Sequence, residues 1–219
     1  MLRILFEKKG SAIWISHLDL MRLFQRACKR AGLSLKHTQG FNPRPSVSIA
    51  LPLSVGVESV CELLDFELDG AEFSCDEICS RLNKTLVSGI KVLGVYNNGR
   101  KVRDLALLEC FVYLEYDFGI TDAAVEQIRE LFSRDEVIVP KKTKNGVQEQ
   151  NIIPMIRKLE IHRISNQELR ITARVCCQNP ALNPAQLASA ISIHLPELTP
   201  DFSRCSRQEI YDAEEVIFR

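Results

Sequence analysis

The chain has 219 residues, of which 46% are hydrophobic, and its 28 basic and 28 acidic residues give a formal net charge of zero. This length and composition predict one large or two small domains with a substantial core, and we favour two. No apolar run approaches the roughly 18 to 20 residues of a membrane span, and a secretory signal is absent, so we expect a cytoplasmic protein without membrane contact. The eight cysteines lack a disulfide-like spacing, so we expect free thiols.

The net charge of zero hides a strong asymmetry along the chain. Residues 1–50 contain nine Lys or Arg and two acidic residues, whereas residues 51–80 contain eight acidic residues and no Lys or Arg. Mixed signs would serve solubility equally well, but one-signed clustering creates a potential that concentrates anions. The first 50 residues therefore predict a phosphate-rich ligand.

The first half of the chain predicts the order strand, helix, strand, strand, helix, strand. The strands are predicted at residues 3–8, 46–51, 60–68 and 90–96. Ser16 is the predicted N-cap of a helix over residues 16–31, with Asp19 at the third helical position. Ser74 and Glu77 predict a capping box for the second helix. This βαββαβ order is the ferredoxin-like arrangement, in which two helices cover one face of a four-stranded antiparallel sheet.

The first predicted helix has one apolar and one basic face. Apolar residues recur at spacings of three and four, which predicts a buried face made by Leu20, Met21, Phe24, Ala27, Cys28 and Ala31. The opposite face and the segment after it carry Arg22, Arg26, Lys29, Arg30, Lys36, His37 and Arg44. A solvated helix face is the common explanation of such a stripe, but the one-signed clustering favours RNA or an RNA-like anion.

A proline-rich loop follows this helix. Gly40 can adopt positive φ, while Pro43 and Pro45 fix their own φ, so the loop is predicted to be stiff. The loop presents the side chains of Phe41, Asn42 and Arg44. Guanidinium contacts and aromatic stacking are the means by which single-stranded sites hold nucleotides. Phe41 could equally fill the core, and the sequence leaves both alternatives open.

The second half predicts a similar order of elements. The segment Asn97-Asn98-Gly99 is a turn signal, and we place the domain boundary there. The predicted domains are residues 1–98 and 104–219. Strands are predicted at residues 107–118, 136–140, 157–164, 168–176 and 207–211, and a helix at residues 121–132. A last helix is predicted with Asn183 as its cap, Pro184 at its first position and Gln186 completing a capping box. The predicted fold class is therefore α+β, with tandem ferredoxin-like units, antiparallel sheets and a degenerate second unit interrupted by an insertion over residues 140–154.

The insertion carries a second basic cluster, made by Lys141, Lys142 and Lys144. The pair Asn145-Gly146 indicates a hairpin tip. Lysine-rich loops are common for solubility alone, but these side chains could contact phosphates of the same anion.

Several sequence motifs in the first hundred residues resemble those of a known family. They are S-H-L-D-L-M-R-x-F-Q-R-A from Ser16, then A-G-L, then T-Q-G-F-N-P-R-P, and A-x-P-L-x-x-G-V-E-S from Ala50. This series resembles the radical-SAM-linked protein family, a bacterial domain of unknown function that is fused to, or encoded beside, a B12-binding radical SAM protein, often near ribonuclease genes. The resemblance implies an accessory or substrate-recognition module for such an enzyme, with RNA as one candidate substrate.

Catalytic groups are sparse, and we expect no metal site, no cofactor and no catalytic activity of the chain's own. Radical SAM enzymes bind their cluster through Cys-x3-Cys-x2-Cys; Cys75 and Cys79 have the first spacing, but position 82 is Leu. The sequence has neither a P-loop nor a Gly-x-Gly-x-x-Gly run. His17 and His37 flank the basic helix and are the candidates for acid–base catalysis in a metal-independent endoribonuclease, an alternative drawn by analogy with tandem ferredoxin-like CRISPR RNA-processing endonucleases.

The acidic segment, residues 51–80, could also pair with the basic residues that precede it. Asp65 and Glu67 lie on the strand face opposite Leu64 and Phe66, and we expect that face to meet water. These acids could instead meet a basic partner, or neutralise the basic helix in place of a ligand. A further alternative is that the basic surface docks onto the radical SAM protein and binds no nucleic acid.

Overall fold

The computed structural model of the protein describes residues 1–70, 72–97, 99–143 and 146–219, with the backbone alone at residues 142 and 143. It divides into two compact units, one made by Met1–Asp104 with Ile217–Arg219 and the other by Leu105–Val216. The fold is α+β, with four α-helices in the described ranges and antiparallel strand pairing in each unit. Within these ranges no helix is long and apolar enough to cross a membrane.

The first unit has a four-stranded antiparallel sheet and two helices. In chain order its elements are β1 (Leu2–Lys8), α1 (His17–Arg30), β2 (Val47–Ile49), β3 (Glu58–Phe66), α2 (Cys75–Asn83) and β4 (Ile90–Asn97). The strand order is β4-β1-β3-β2. The predicted βαββαβ order of these six elements is confirmed, although β2 is only three residues long.

The second unit repeats this pattern with one addition. Its elements are β5 (Leu105–Glu115), α3 (Asp122–Phe132), β6 (Ile138–Thr143), β7 (Gly146–Asn151), β8 (Ile156–Arg163), β9 (Glu168–Cys176), α4 (Ala185–His194) and β10 (Phe202–Asp212). The main sheet has the order β10-β5-β9-β8, and β6 and β7 form a separate hairpin. The short strand predicted at residues 136–140 is thus one arm of this hairpin, and the last strand is longer than the predicted 207–211.

Side-chain caps begin three of the helices where the sequence predicts them. Ser16 and Ser74 accept hydrogen bonds from the N–H groups three residues on, Asp19 and Glu77, and Thr121 does the same for Ala124. These bonds satisfy amides that the first helical turn leaves without partners. The predicted capping box at α2 closes only on the Ser74 side, because the Glu77 carboxylate binds Arg81 instead.

The core of the first unit lies between its sheet and its helices. Phe6 of β1 and Phe24 of α1 are fully buried and meet edge to face, with ring centroids 4.8 Å apart. Ile78 and Leu82 are the buried residues of α2. The predicted inner face of α1 is therefore confirmed at its central residues, and the outer face of this helix is left to solvent.

All eight cysteines are free thiols. Burial raises the pKa of Cys28 to about 11, and that of Cys110 to about 12. These two thiols serve as small apolar side chains of the core, since the thiolate is the reactive form.

Candidate nucleic-acid interface

Helix α1 positions the basic surface, because its apolar face is anchored in the core. Leu20, Phe24, Ala27 and Cys28 are its buried residues. Four of its basic side chains, Arg22, Arg26, Lys29 and Arg30, are exposed, as helical periodicity predicts. We use the name basic surface for these four residues together with Lys36 and Arg44.

The start of α1 holds the single acid of this helix. The Ser16 hydroxyl donates to the Asp19 carboxylate at 2.7 Å, and Arg22 Nη1 donates to its other oxygen at 3.1 Å. The Ser16 hydrogen bond, followed by that of Arg22, lowers the pKa of Asp19. The Arg22 side chain remains about two-thirds exposed, and such a surface pair is screened by salt and readily exchanged for another anion.

Three cations of the basic surface have no ion pair and no side-chain hydrogen bond to any residue in the described ranges. They are Arg26, Lys29 and Arg44, and all three are exposed. Arg30 uses Nη2 to donate to the Thr85 carbonyl at 2.8 Å, and Lys36 pairs with Glu67 at 3.1 Å. The basic surface therefore keeps three cations that we call uncompensated, because no ion pair within the described ranges neutralises them, although the charge of Arg26 acts on Asp19 at longer range.

The proline-rich loop is tied at its base. The Thr38 N–H donates to the Arg44 carbonyl at 2.8 Å, and the Arg44 N–H donates to the Thr38 hydroxyl at 3.1 Å. His37 and Pro45 form an isolated antiparallel bridge next to this pair. Phe41 at the tip is fully exposed, and Asn42 beside it is exposed as well. Of the two alternatives for Phe41, the core position is wrong, and the ring is available for stacking.

A groove opens where α1 ends. Gly32 follows the helix with φ +71°, in the left-handed region that ends many helices, and it turns the chain so that Leu33 and Leu35 pack back onto the core. The groove has a volume of about 600 Å³ and a mostly apolar lining, with Leu33, Leu35 and Pro45 at its floor and Arg26, Lys29 and His37 at its rim. We call it the exit groove.

Arg26 also lines a second, smaller hollow on the same helix. That hollow has a volume of about 360 Å³ and is bordered by Arg22, Arg30 and Val87. Arg26 is thus shared by two depressions, and both have guanidinium groups at their edges. An extended anionic chain could follow this series of cations along α1.

Asp65 of β3 and Glu67, which follows this strand, both have partners outside α1. Asp65 is 4% exposed, and its carboxylate binds Arg3 on the neighbouring strand, with Nε–Oδ1 at 2.6 Å and Nη2–Oδ2 at 2.9 Å. The expectation that the Asp65 face meets water is therefore wrong, because both faces of β3 are covered at this position. Glu67 binds Lys36 and reaches neither Arg22 nor Arg26.

The two candidate catalytic histidines lie at opposite ends of α1. His17 is the first residue of this 14-residue helix, which spans about 21 Å, and His37 follows its last residue by seven positions. His17 Nδ1 is buried and has no hydrogen-bond partner among the described residues, whereas His37 is exposed at the exit groove. Strand cleavage by an acid–base pair requires both groups at one phosphate. The separation of His17 and His37 along α1 disfavours such a pair.

Of the second basic cluster, Lys141, Lys142 and Lys144, the structure describes only the side chain of Lys141. Lys141 Nζ donates to the Ala181 carbonyl at 3.1 Å, so this ammonium group is held by its own unit. The side chain of Lys142 and the whole of Lys144 lie outside the described residues. No group of His, Cys, Asp and Glu that could hold a metal ion occurs in the described part of the chain.

Two features of the site have only a weak signal in the sequence. The exit groove depends on Leu33 and Leu35, whose alternation after Gly32 is too short to predict a shared surface. Trp14 precedes α1 and Leu18 is its second residue, and the two residues are 69% and 66% exposed, although large apolar residues are more often buried. Trp14 is the last residue of the 3-10 turn over Gly10–Trp14 that precedes α1.

The fold and the surface together define an α+β protein with an exposed basic helix and no metal cluster in the described part of the chain. The chain belongs to the family described as "Uncharacterized protein conserved in bacteria (DUF2344)", which matches residues 1–184. A search of curated proteins finds no match.

A similar fold occurs in chains of two solved complexes, one of which is an RNP bound to RNA. A chain in the crystal structure of a Cbf5–Nop10–Gar1 complex is 10% identical with a TM-score of 0.53, and the match covers 95% of this protein and 48% of that chain. A chain in an H/ACA RNP bound to a substrate RNA containing 2′-deoxyuridine is 9% identical with a TM-score of 0.50, covering 96% and 46%. This protein spans about half the length of these two chains. At sequence identities of 9% and 10%, the similarity shows a shared fold alone.

Proposed function

We propose that this protein binds RNA or an RNA-like anion through the basic surface and the proline-rich loop, as an accessory or substrate-recognition protein of a radical SAM enzyme. The observation that carries the proposal is the exposure of Arg26, Lys29 and Arg44 without any ion pair to the described residues. The link to a B12-binding radical SAM protein rests on the family resemblance of the first hundred residues.

Electrostatics favour a polyanion over a neutral partner. Arg26 and Lys29 lie three positions apart, on one exposed face of α1. Like charges this close raise the free energy of the folded protein, so their clustering is best explained by a ligand that neutralises them. Phosphodiesters do so while releasing condensed counterions, which adds affinity that depends on salt.

The fold supports the same proposal. We propose that both units are ferredoxin-like, since β4-β1-β3-β2 and β10-β5-β9-β8 place corresponding elements in the same order, with the hairpin β6–β7 as the insertion. The similar solved chains belong to assemblies that include an H/ACA RNP with its substrate RNA. An architecture shared with such assemblies is compatible with RNA recognition, although function resides in the site and not in the fold.

Docking onto a partner protein is the second candidate, and a specific observation favours it. Trp14 and Leu18 expose most of their apolar surface next to the first turn of α1. Aromatic residues of this kind are enriched in protein interfaces and depleted elsewhere on surfaces. This pair could hold the radical SAM enzyme while the basic surface binds the nucleic acid, so the two candidates are separable by mutation.

The test is a pair of binding measurements. RNA affinity should fall steeply between about 50 and 200 mM salt, as expected for several neutralised phosphates. Trp14→Ser combined with Leu18→Ser should leave this RNA affinity unchanged and reduce co-purification of the partner enzyme from cell extract. RNA affinity that is absent at low salt would contradict the proposal, and co-purification of one enzyme without RNA would favour docking alone.

A further inference from the structure

The exit groove combines two properties, and unlike the smaller hollow on α1 its lining contains no acid. Its floor is apolar, since Leu33, Leu35 and Pro45 line it, and its rim carries the uncompensated cations Arg26 and Lys29. Its volume of about 600 Å³ is within the range of small-ligand sites. A polyanion held by charge alone would need the rim but not the floor.

We propose that the exit groove holds the base of one unpaired nucleotide, whose flanking phosphodiesters lie on Arg26 and Lys29. This inference rests on the proposed RNA binding and names its substrate class, which is a single strand or a loop. The base would lie over the apolar floor, where its faces are removed from water. The imidazole of His37 and the guanidinium of Arg26 provide planes on which a base can stack.

The groove also has polar groups for the edge of the base. Gln25 and Ser34 line it, and neither side chain has a hydrogen bond to the described residues. An amide and a hydroxyl can both donate and accept, so they can meet a Watson–Crick edge. In a duplex these edges are paired and the bases are stacked, so no base can enter the groove.

Charge complementarity selects this occupant over an apolar peptide. The lining residues include Arg26, Lys29 and His37 but no acid. A peptide that filled the floor would leave these cations desolvated and unpaired unless it carried acidic residues at matching positions. A nucleotide carries its negative charge at a fixed place beside the base, and it satisfies the floor and the rim together.

Ser34→Trp tests the groove without a change of charge. The Ser34 side chain is exposed and has no bond to lose among the described residues, and an indole at this position fills the groove. The affinity for single-stranded RNA should fall at least about tenfold, as stacking energies predict, while the salt dependence remains that of the wild type. Ser48→Trp is the matched control on β2, outside the groove, and it should bind as the wild type does.

Three ligands separate the possible outcomes. Heparin, a polyanion without bases, should bind the wild type and Ser34→Trp equally; an equal loss for heparin would overturn the proposal, because the indole would then have disturbed the cations. Single-stranded RNA and DNA of one sequence show which sugar the site accepts, and a loss in Ser34→Trp with either strand supports the groove. Duplex RNA that binds as tightly as the single strand would overturn it.

A second measurement uses the unaltered protein, in case Ser34→Trp does not fold. A single-stranded RNA that contains 4-thiouridine is cross-linked by light, and the modified peptides are identified by mass spectrometry. Cross-links within residues 25–45 support the proposal, and cross-links confined to other segments overturn it. If wild-type RNA binding is absent altogether, the proposed function fails; if RNA binds and Ser34→Trp has no effect, only the groove assignment fails.

Discussion

Arg3 and Asp65 lie directly opposite each other on β1 and β3, and they form a two-point ion pair in the core of the first unit. The Arg3 side chain is fully buried, and the ring of Phe218 lies 5.3 Å from its guanidinium carbon. This pair explains why the acidic strand does not neutralise the basic helix. The Asp65 carboxylate is already bound inside the protein.

Removal of the Asp65 carboxylate should be strongly destabilising. Asp65→Ala leaves the Arg3 guanidinium buried without its counter-charge, and the loss of one partner of such a pair costs about 3 to 5 kcal/mol. Denaturant unfolding measures the change. Glu67→Ala, which breaks the more exposed pair with Lys36, is the matched control and should cost less than about 1 kcal/mol. Equal costs for the two variants would contradict the assigned role of Arg3 and Asp65.

The buried Lys8 should hold the turn that leads into α1. Its ammonium group donates to the carbonyls of Ile13 at 3.0 Å and Ile15 at 2.9 Å. Burial lowers the pKa of Lys8, and the charge of Glu62 opposes that shift. Lys8→Met removes both donors and should destabilise the protein by about 1 to 3 kcal/mol.

Hydrogen exchange of residues 10–16 measures the effect on the turn. Exchange should become faster in Lys8→Met and remain unchanged in Lys9→Met, since Lys9 is exposed. Unchanged exchange in both variants would show that Lys8 does not hold this segment.

The Ser16 cap of α1 should affect the pKa of Asp19 and, through it, the pH dependence of stability. The Ser16 hydroxyl is the largest cause of the lowered pKa of Asp19, so Ser16→Ala should raise that pKa towards its ordinary value. The folded chain favours the ionised carboxylate. The resulting stabilisation is therefore present above the unfolded-state pKa and is lost as the pH falls through the folded-state pKa.

Carboxyl NMR titration of Asp19 measures this shift, and the lost cap should also cost about 1 kcal/mol of stability. Ser11→Ala, in the exposed turn before the helix, is the control and should leave the Asp19 titration as it is. A pKa that stays low in Ser16→Ala would assign the shift to Arg22 instead.

The cysteines should differ in reactivity according to their burial. Burial raises the pKa of Cys28, Cys110, Cys177 and Cys205 to between about 11 and 12. At pH 8 these four should be alkylated slowly in the native protein, whereas the partly exposed Cys75 should react faster. Mass spectrometry after timed iodoacetamide treatment measures the rates. Rapid labelling of Cys28 in the folded protein would contradict its core position.

Local chemistry explains which parts of the fold could be predicted. Ser16, Ser74 and Thr121 begin their helices as expected, because an N-cap acts on amides only two or three residues away. The insertion was predicted only in part, since Asn145-Gly146 indicates a hairpin tip but not the extent of the strands at residues 138–143 and 146–151 that pair around it. The predicted tip at residues 144–145 lies outside the described residues. Pairing between distant segments depends on the assembled sheet, which periodicity does not reveal.

The same distinction holds for the site. Exposure of Arg26 and Lys29 follows from helical spacing and was predictable, while the positions of Phe41 and Asp65 were not. The partner of Asp65 lies 62 residues earlier in the chain, so alternation alone placed its carboxylate in water. The exit groove is likewise made by two segments, α1 and the strand-like residues 33–45, that meet only in the folded unit.

The account depends most on the uncompensated charge of the basic surface. A direct test replaces Arg26, Lys29 and Arg44 by Gln and compares the protein with a control in which three exposed cations elsewhere, Lys91, Lys101 and Arg134, are replaced by Gln. Both variants lose the same formal charge. Thermal unfolding of both establishes that they fold.

The decisive measurement is the slope of log affinity against log salt for single-stranded RNA. The slope should decrease by about 2 in the Arg26, Lys29 and Arg44 variant, because each lost phosphate contact removes about 0.7, and it should stay near the wild-type value in the control. An equal decrease in both variants, or none in the first, would contradict the claim that these three cations bind the phosphates.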